Sequence, residues 1–183
     1  MRIVAGALKG RRLSSPKDNC IRPTSDRLRE SLFNRLAHRD DFDIAGARVA
    51  DLFAGTGALG LEALSRGAAE AVFVEQSRAA IRLIRDNIAA LGLEDRARVL
   101  AVDARKLPAA ASPFDLVFLD PPYGKGLLPP ALAALRSQGW LQPPSLIGAE
   151  IGAEEALSFP ADFTIDNEFH AGRSRILLMR VLN

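Results

Sequence analysis

From residue 47 onward, the sequence alternates between short apolar runs and amphipathic stretches of helix length. The apolar runs lie at 47–54, 70–75, 97–102, 114–120 and 145–151. The stretches with a helical pattern lie at 57–67, 77–92 and 126–139. Because parallel strands need long crossover connections, this alternation is typical of a parallel sheet that is covered by helices on both faces. The sequence therefore predicts an α/β fold.

The two ends of the chain depart from this alternation. Residues 163–169 and 174–181 have strand patterns and are joined by the turn sequence HAGR, so we expect the last strand to run antiparallel to the others. Residues 2–13 resemble a small β-hairpin, and residues 24–39 have the pattern of an amphipathic helix. We therefore predict a doubly wound, Rossmann-like sandwich of about seven strands with a small hairpin-and-helix extension at its N-terminus.

The composition excludes several other classes of protein. No apolar stretch in the 183 residues approaches the length of about 18 that a membrane span needs, and the first residues lack the apolar core of a signal peptide. A single cysteine, Cys20, excludes a disulfide framework and a cysteine-rich zinc site. The two histidines, His38 and His170, are far apart in the sequence. We expect a cytoplasmic protein without a metal centre.

Positive charge is concentrated near the N-terminus. Residues 1–40 hold ten Lys or Arg and four Asp or Glu, whereas residues 41–183 hold fourteen and eighteen. We therefore divide the chain into a basic extension, 1–40, and a larger domain, 41–183. Phosphate contacts dominate the affinity of proteins for nucleic acids, so the extension predicts a polyanionic partner; a solvated basic face without a partner is the alternative. The expected contact residues are Lys9, Arg11, Arg12, Arg22 and Arg27.

A glycine-rich turn follows the first predicted strand of the larger domain. The sequence DLFAGTGALG, residues 51–60, has the G-x-G-x-x-G spacing at Gly55, Gly57 and Gly60. Ligands of open α/β sheets bind beyond the carboxyl ends of the strands, and glycines there allow close approach. Two ligand classes fit: a dinucleotide, and a nucleoside cofactor without phosphate such as S-adenosylmethionine. The carboxylate of Asp51 disfavours a pyrophosphate and suits a cationic methionyl group.

Acidic residues end the neighbouring predicted strands as well. Glu75, which lies 15 residues after Gly60, can accept hydrogen bonds from ribose hydroxyls in either ligand class. Asp103, followed by Ala104, is placed where a carboxylate can accept from the amine of an adenine. The fourth strand of the series ends at Asp120. Acids at strand ends also occur as loop residues and helix caps, which is the alternative for each of them.

The sequence Asp120-Pro121-Pro122-Tyr123 follows the fourth strand and resembles the [Asp/Asn]-Pro-Pro-[Tyr/Phe] motif of S-adenosylmethionine-dependent methyltransferases that modify planar amino nitrogens. Such an amine is a weak nucleophile because its lone pair is delocalised into the ring. Acceptors at the Asp120 side chain and the Pro121 carbonyl would draw the nitrogen toward tetrahedral geometry, and the two prolines would fix them in place. Tyr123 offers a ring on which a base can stack. A proline-rich turn without a function is the alternative.

Five blocks of the chain together resemble the RsmD family, bacterial methyltransferases that act on the N2 amine of one guanine in 16S ribosomal RNA. The most family-specific block includes Arg22, Pro23, Thr24, Asp26 and Arg27. The blocks cover nearly the whole chain in the expected order, at 2–13, 21–36, 51–68, 73–76 and 119–123.

The resemblance implies a seven-stranded class I methyltransferase fold whose N-terminal extension helps to hold RNA. The implied partner is 16S rRNA within an assembling small ribosomal subunit, with no obligate protein partner. Thr24 and its neighbours would cover the site. The residues that the resemblance places at the methionine part of S-adenosylmethionine are Asp51, Phe53, Gly55, Thr56 and Gly57; at the ribose, Glu75 and Gln76; at the adenine, Asp103 and Ala104; and at the target base, Asp120, Pro121, Pro122 and Tyr123.

Three other functions share parts of this pattern. A DNA adenine or cytosine amino-methyltransferase has the same motif but usually needs an added target-recognition region, and only 60 residues follow Tyr123. A protein glutamine methyltransferase usually has Asn where this chain has Asp120. A non-catalytic RNA-binding protein that retains the fold would be expected to have lost cofactor acids or the Pro-Pro turn, and all of these are present here.

Overall fold

The computed structural model describes residues 1–15, 26–155 and 159–182. Its seven strands form one sheet in the order β3-β2-β1-β4-β5-β7-β6. Strands β1 to β5 pair in parallel, and β7 lies antiparallel between β5 and β6. The predictions of a seven-stranded α/β sheet and of an antiparallel last strand are confirmed. The strands are β1 Arg48–Leu52, β2 Glu70–Val74, β3 Ala97–Leu100, β4 Leu116–Leu119, β5 Leu146–Gly152, β6 Phe163–Ala171 and β7 Ser174–Val181.

Helices cover both faces of the sheet. Residues that alternate along a strand point to opposite faces, and the core is accordingly divided into two hydrophobic clusters. One cluster joins Val49 and Phe73 of the sheet to α1, α2 and α3, and the other joins Ala50 and Val72 to α4. The helices are α1 Asp26–Ala37, α2 Ala58–Ser65, α3 Arg78–Leu91 and α4 Leu128–Ser137.

The N-terminal chain returns on itself antiparallel where a small β-hairpin is predicted. The Ile3 N–H donates to the Arg11 carbonyl oxygen and the Gly10 N–H to the Ile3 carbonyl oxygen, both at 2.9 Å, and one isolated bridge among the described residues there joins Arg2 and Arg12. The backbone N–H groups of Val4 and Ala5 donate to the Glu62 carboxylate of α2, at 2.8 and 2.9 Å, instead of to a partner strand. A Cβ atom at Gly6 would lie 2.0 Å from the Ser65 carbonyl oxygen, so only glycine allows this approach to α2.

The N-terminal segment, residues 1–15, is held to α1 and α2 by a buried ionic cluster centred on Glu62. The side chains of Glu62 and Arg29 are both fully buried, and Arg29 Nη1 lies 3.5 Å from Glu62 Oε2. Arg66 Nε donates to Glu62 Oε1 at 2.8 Å. Arg29 Nη2 donates to the Arg2 carbonyl oxygen at 2.7 Å. Glu62 therefore connects the N-terminal segment to both helices.

We expect Glu62→Ala to lower the free energy of unfolding by about 3–5 kcal/mol, because removing one partner of a buried ion pair leaves the other charge uncompensated. Arg29 would then lie buried without its carboxylate, and the N–H groups of Val4 and Ala5 would lose their acceptor. Urea unfolding measures the change. Glu94→Ala, which removes an exposed carboxylate, is the control. Equal stabilities of the two variants would contradict this account of the cluster.

Candidate active site

Three carboxylates meet at the carboxyl edge of the sheet. Leu52 of β1 is level with Val74 of β2 and with Leu119 of β4, so the three strands end side by side. Glu75 and Asp120 are the next residues after β2 and β4, and Asp51 precedes Leu52. The parallel register therefore brings together three acids that are far apart in the sequence.

The acids interact electrostatically. Asp51 is almost fully buried, and this burial is the main reason why the pKa of its carboxyl is raised well above its ordinary value. A hydrogen bond from the Gly60 backbone N–H, 2.9 Å from Asp51 Oδ2, opposes the shift. The negative charges of Asp120 and Glu75 raise the pKa further. This edge of the sheet therefore favours a cationic ligand.

The glycine-rich turn bends sharply around these acids. Phe53 has a positive φ of 58°, which is uncommon for a residue other than glycine, and Gly55 and Gly57 follow with φ of 56° and 77°. The third glycine of the motif, Gly60, is needed for packing rather than for a turn. A Cβ atom at Gly60 would lie 2.4 Å from the Phe73 ring, so Gly60 allows α2 to pack closely on β2.

Glu75 is fixed in position by backbone donors. Its Oε2 atom accepts a hydrogen bond from the Gly55 N–H at 3.0 Å. Its Oε1 atom accepts from the N–H groups of Gln76 at 2.8 Å and Ser77 at 2.9 Å. The glycine-rich turn and the start of α3 are therefore joined through one carboxylate. Gln76 itself is exposed beside it.

Asp103 is bound to a neighbour that the sequence reasoning did not identify. The sequence predicts that Asp103 ends the third strand, but β3 ends at Leu100, so that Asp103 lies three residues beyond it. The Arg105 guanidinium donates to both Asp103 oxygens, at 2.6 to 3.1 Å, and lowers the pKa of this carboxyl to about 2. An adenine amine at Asp103 would share the carboxylate with Arg105. Ala104 is buried next to it.

The Asp120-Pro121-Pro122-Tyr123 turn begins directly after β4. The Asp120 backbone N–H donates to the Leu52 carbonyl oxygen of β1 at 3.4 Å, which ties the turn to the neighbouring strand. Pro121 is buried, Pro122 is exposed, and Tyr123 is partly buried. The four predicted residues thus begin at the edge that also carries Asp51.

The Tyr123 hydroxyl is held by two residues of the antiparallel side of the sheet. It donates to Glu150 Oε1 of β5, and it lies 2.8 Å from Ser174 Oγ of β7. Ser174 Oγ donates to the same Glu150 oxygen at 2.7 Å. Burial, and then the hydrogen bond to Glu150, raise the pKa of Tyr123. The sequence held a signal for this contact, because Glu150 is the one charged residue within the otherwise apolar stretch SLIGAEI.

Asn87 connects the glycine-rich turn to the N-terminal segment. Its Nδ2 atom donates to the Thr56 carbonyl oxygen at 3.0 Å, and its Oδ1 atom accepts from the Ser14 N–H at 2.8 Å. Asn87 is buried although it is polar. Its place on the apolar face of α3, beside Ile84, Ile88 and Leu91, is the sequence signal that could have identified it.

The predicted RNA-binding residues are only partly described. Lys9, Arg11, Arg12 and Arg27 are exposed, whereas Arg22 and Thr24 lie outside the described residues. Arg11 Nη2 donates to the Ala90 carbonyl oxygen at 2.5 Å, at the C-terminal end of α3.

Two classes of feature are absent from the part of the chain that the structure describes. Within residues 1–15, 26–155 and 159–182, no group of three or more His, Cys, Asp or Glu side chains could hold a metal ion. No helix in the same ranges is both long and apolar enough to cross a membrane.

Solved structures of similar architecture define the class of the fold. One of them is a chain from Escherichia coli described as the methyltransferase yhhF. It superimposes with a TM-score of 0.86 and is 37% identical, and the match covers 100% of this chain and 98% of that chain. An RNA methyltransferase from Salinibacter ruber, solved with S-adenosyl-L-homocysteine, has a TM-score of 0.68 over 88% of this chain and 95% of its own; at 14% identity it shows the fold alone. The fold is that of the class I S-adenosylmethionine-dependent methyltransferases.

Sequence relatives define the family. A family model described as "Conserved hypothetical protein 95" matches residues 1–180. The ribosomal RNA small subunit methyltransferase D of Escherichia coli is 41% identical over 175 residues, which are 94% of this chain and 86% of that protein. The protein of the same name from Haemophilus influenzae is 35% identical over 94% of this chain and 89% of its own. The chain belongs to this family, the RsmD family.

We expect Asp51→Asn to stabilise the protein at neutral pH. Because the folded state raises the pKa of Asp51, the unfolded chain loses this proton first as the pH rises, and stability falls between the ordinary pKa and the raised one. Asparagine carries no charge to desolvate, and its oxygen can still accept from Gly60. Thermal unfolding of both proteins at several pH values tests this: the advantage of the variant should grow with pH and vanish under acid conditions. An advantage independent of pH would contradict it.

We expect Tyr123→Phe to separate the roles of ring and hydroxyl. Loss of the bond to Glu150 should lower the free energy of unfolding by about 1–3 kcal/mol, while kcat/KM falls less than tenfold because the ring remains. Tyr123→Ala should lower kcat/KM by about a further 5- to 150-fold, since stacking of a base on an aromatic ring contributes about 1–3 kcal/mol. Ser174→Ala, which removes only the second hydroxyl, is the control. Equal losses for Phe and Ala would show that the ring does not hold the base.

Proposed function

We propose that this protein transfers a methyl group from S-adenosylmethionine to the exocyclic N2 amine of a guanine in 16S ribosomal RNA. The observation that carries the proposal is the position of Asp120-Pro121-Pro122-Tyr123, which begins directly after β4 at the edge where Asp51 and Glu75 also lie. The names of the relatives, ribosomal RNA small subunit methyltransferase D, support the choice of substrate.

The charge of the site fits the cofactor. Asp51, Glu75 and Asp120 are close enough to affect one another's charge, and a cationic ligand would relieve their repulsion. A pyrophosphate at the same place would add to that repulsion. S-adenosylmethionine, when bound, supplies an electrophilic methyl group on a positively charged sulfur.

Each predicted cofactor residue has a part in this proposal. Asp51, Phe53, Gly55, Thr56 and Gly57 surround the methionyl part, Glu75 and Gln76 bind the ribose, and Asp103 and Ala104 bind the adenine. The hydrogen bond from the Gly55 N–H to the Glu75 carboxylate holds the methionyl-binding turn next to the ribose-binding residues. For Asp103, the cofactor has to accommodate Arg105.

Asp120 and its neighbours prepare the amine for reaction. The Asp120 carboxylate and the Pro121 carbonyl accept hydrogen bonds from the two N–H groups of the guanine amine. The nitrogen then becomes more tetrahedral, and its lone pair is directed at the methyl group. Pro121 is buried, and the fixed backbone angles of the two prolines hold these acceptors in place before the substrate arrives. Tyr123, held by Glu150 and Ser174, stacks on the base once it has left its own stack.

The names of the relatives favour RNA of the small ribosomal subunit as the substrate. We assign RNA binding to the extension, 1–40, and methyl transfer to residues 41–183. An assembling small ribosomal subunit could select the target guanine by its shape. Such a substrate would place the enzyme in the cytoplasm.

Methyl transfer from labelled S-adenosylmethionine tests the proposal. The acceptors are unmodified small ribosomal subunits, naked 16S RNA, duplex DNA and a protein extract, and the labelled nucleoside is identified after digestion. We expect N2-methylguanosine from the ribosomal samples alone. Label in DNA would instead support an amino-methyltransferase of DNA, and cofactor binding without transfer to any acceptor would support an RNA-binding protein that has lost its reaction.

We expect Asp120→Ala to abolish methyl transfer and to leave S-adenosylmethionine affinity within several-fold, because its carboxylate is assigned to the target amine. Calorimetry measures the affinity, and a single-turnover assay measures the transfer. Asp95→Ala, which removes an exposed carboxylate, is the control. A variant that no longer binds the cofactor would move Asp120 from the target base to the cofactor site.

A further inference from the structure

Arginines are neutralised at the antiparallel end of the sheet. Arg39 and Arg180 share Asp166, at 3.0 and 2.6 Å, and both also contact Asp41. The pairs Arg136–Asp162 and Arg175–Glu168 lie at the same end. These guanidinium groups already have carboxylate partners, so this end of the molecule offers little free positive charge to a polyanion.

The opposite end of the sheet has a different charge pattern. Helix α3 packs beside β3, the outermost strand there. Arg78, Arg82 and Arg85 are exposed and follow one another at spacings of four and three residues, so they share one face of the helix. None of the three forms an ion pair with any residue in the ranges 1–15, 26–155 and 159–182.

The N-terminal segment adjoins the same helix. Arg11 donates to the Ala90 carbonyl oxygen at 2.5 Å, and the Ser14 N–H donates to Asn87 Oδ1 at 2.8 Å. At its other end, α3 begins three residues after Glu75. The helix has 14 residues, and at about 1.5 Å per residue it extends from the cofactor edge of the sheet to the N-terminal segment.

We propose that Arg78, Arg82 and Arg85 bind phosphate groups of the RNA substrate and form one surface with the exposed cations of the N-terminal segment. The proposal rests on the function proposed above and extends its RNA-binding residues beyond the extension 1–40. Guanidinium groups suit this role because their planar donors bind phosphate oxygens in pairs. Asp86 is the one acid in α3, so the helix carries a net positive charge.

The salt dependence of binding to unmodified small ribosomal subunits tests this surface. The variant is Arg82→Gln/Arg85→Gln. Arg78 is left unchanged because it lies three residues after Glu75, which is assigned to the cofactor. Each lost phosphate contact should make the slope of log K against log salt concentration shallower by about 0.7–0.9, so we expect a change of roughly 1.5 for the pair. KM for the subunit should rise, while kcat and S-adenosylmethionine affinity stay unchanged.

Two further variants show whether weaker binding comes from this surface, from the lower net charge or from misfolding. Arg136→Gln/Arg180→Gln removes the same charge at the antiparallel end of the sheet, where both arginines already have carboxylate partners, and its slope should match that of the wild type. Asp86→Asn removes the acid from α3 and should tighten binding and steepen the slope, which a damaged protein would not do. An unchanged slope for Arg82→Gln/Arg85→Gln, or equal changes in both double variants, would overturn the proposal.

The wild-type protein distinguishes this proposal from the function on which it rests. If the wild-type protein methylates the subunits and Arg82→Gln/Arg85→Gln binds them with the wild-type salt dependence, the proposed function stands and the α3 surface is wrong. If the wild-type protein neither binds nor methylates the subunits, both proposals are overturned, and an acidic protein becomes the partner to examine for this face.

Discussion

The parallel pairing of β1 with β2 and β4 brings Asp51, Glu75 and Asp120 to one edge of the sheet. Carboxylates that are this close repel one another, and the burial of Asp51 adds to the cost of its charge. The surrounding hydrophobic strands hold the arrangement in place, since Val49, Leu52 and Leu119 are completely buried. The same repulsion favours a ligand that carries positive charge.

The glycine-rich turn and the helices α2 and α3 hold both the acids at the sheet edge and the N-terminal segment in position. Backbone donors of the glycine-rich turn bind Asp51 and Glu75, and Asn87 joins that turn to Ser14. Glu62, on the helix that follows the turn, holds Val4 and Ala5. The N-terminal segment, which we propose binds RNA, is therefore connected to the glycine-rich turn through short chains of hydrogen bonds. This arrangement fits an enzyme whose substrate has to be held while a single base is moved.

The sequence predicted the features that depend on periodicity and order along the chain. Helix α3 illustrates this, because its apolar spacing, its Ser77 cap and its Gly92 end placed it within one residue of its observed bounds. The convergence of Asp51, Glu75 and Asp120 at one edge followed from the general behaviour of parallel sheets.

Contacts between distant residues could not be predicted in the same way. The N–H groups of Val4 and Ala5 bind a carboxylate 57 to 58 residues away, and no local pattern indicates such a pairing. The bonds of Tyr123 to Glu150 and Ser174 depend on the pairing of β5 with β7. The position of Asp103 beyond β3 depends on where that strand stops pairing with β2.

Carboxyl-selective carbon-13 NMR of the aspartates, recorded over a pH titration with and without S-adenosylmethionine, tests the central claim most directly. The account predicts that the pKa of Asp51 in the free protein lies above the ordinary range and falls when the cationic cofactor binds. Asp41, whose pKa is lowered by its hydrogen bond to Arg39 and which lies outside the proposed cofactor site, serves as the internal reference. An ordinary pKa for Asp51 that the cofactor leaves unchanged would contradict the claim that these carboxylates form the cofactor site.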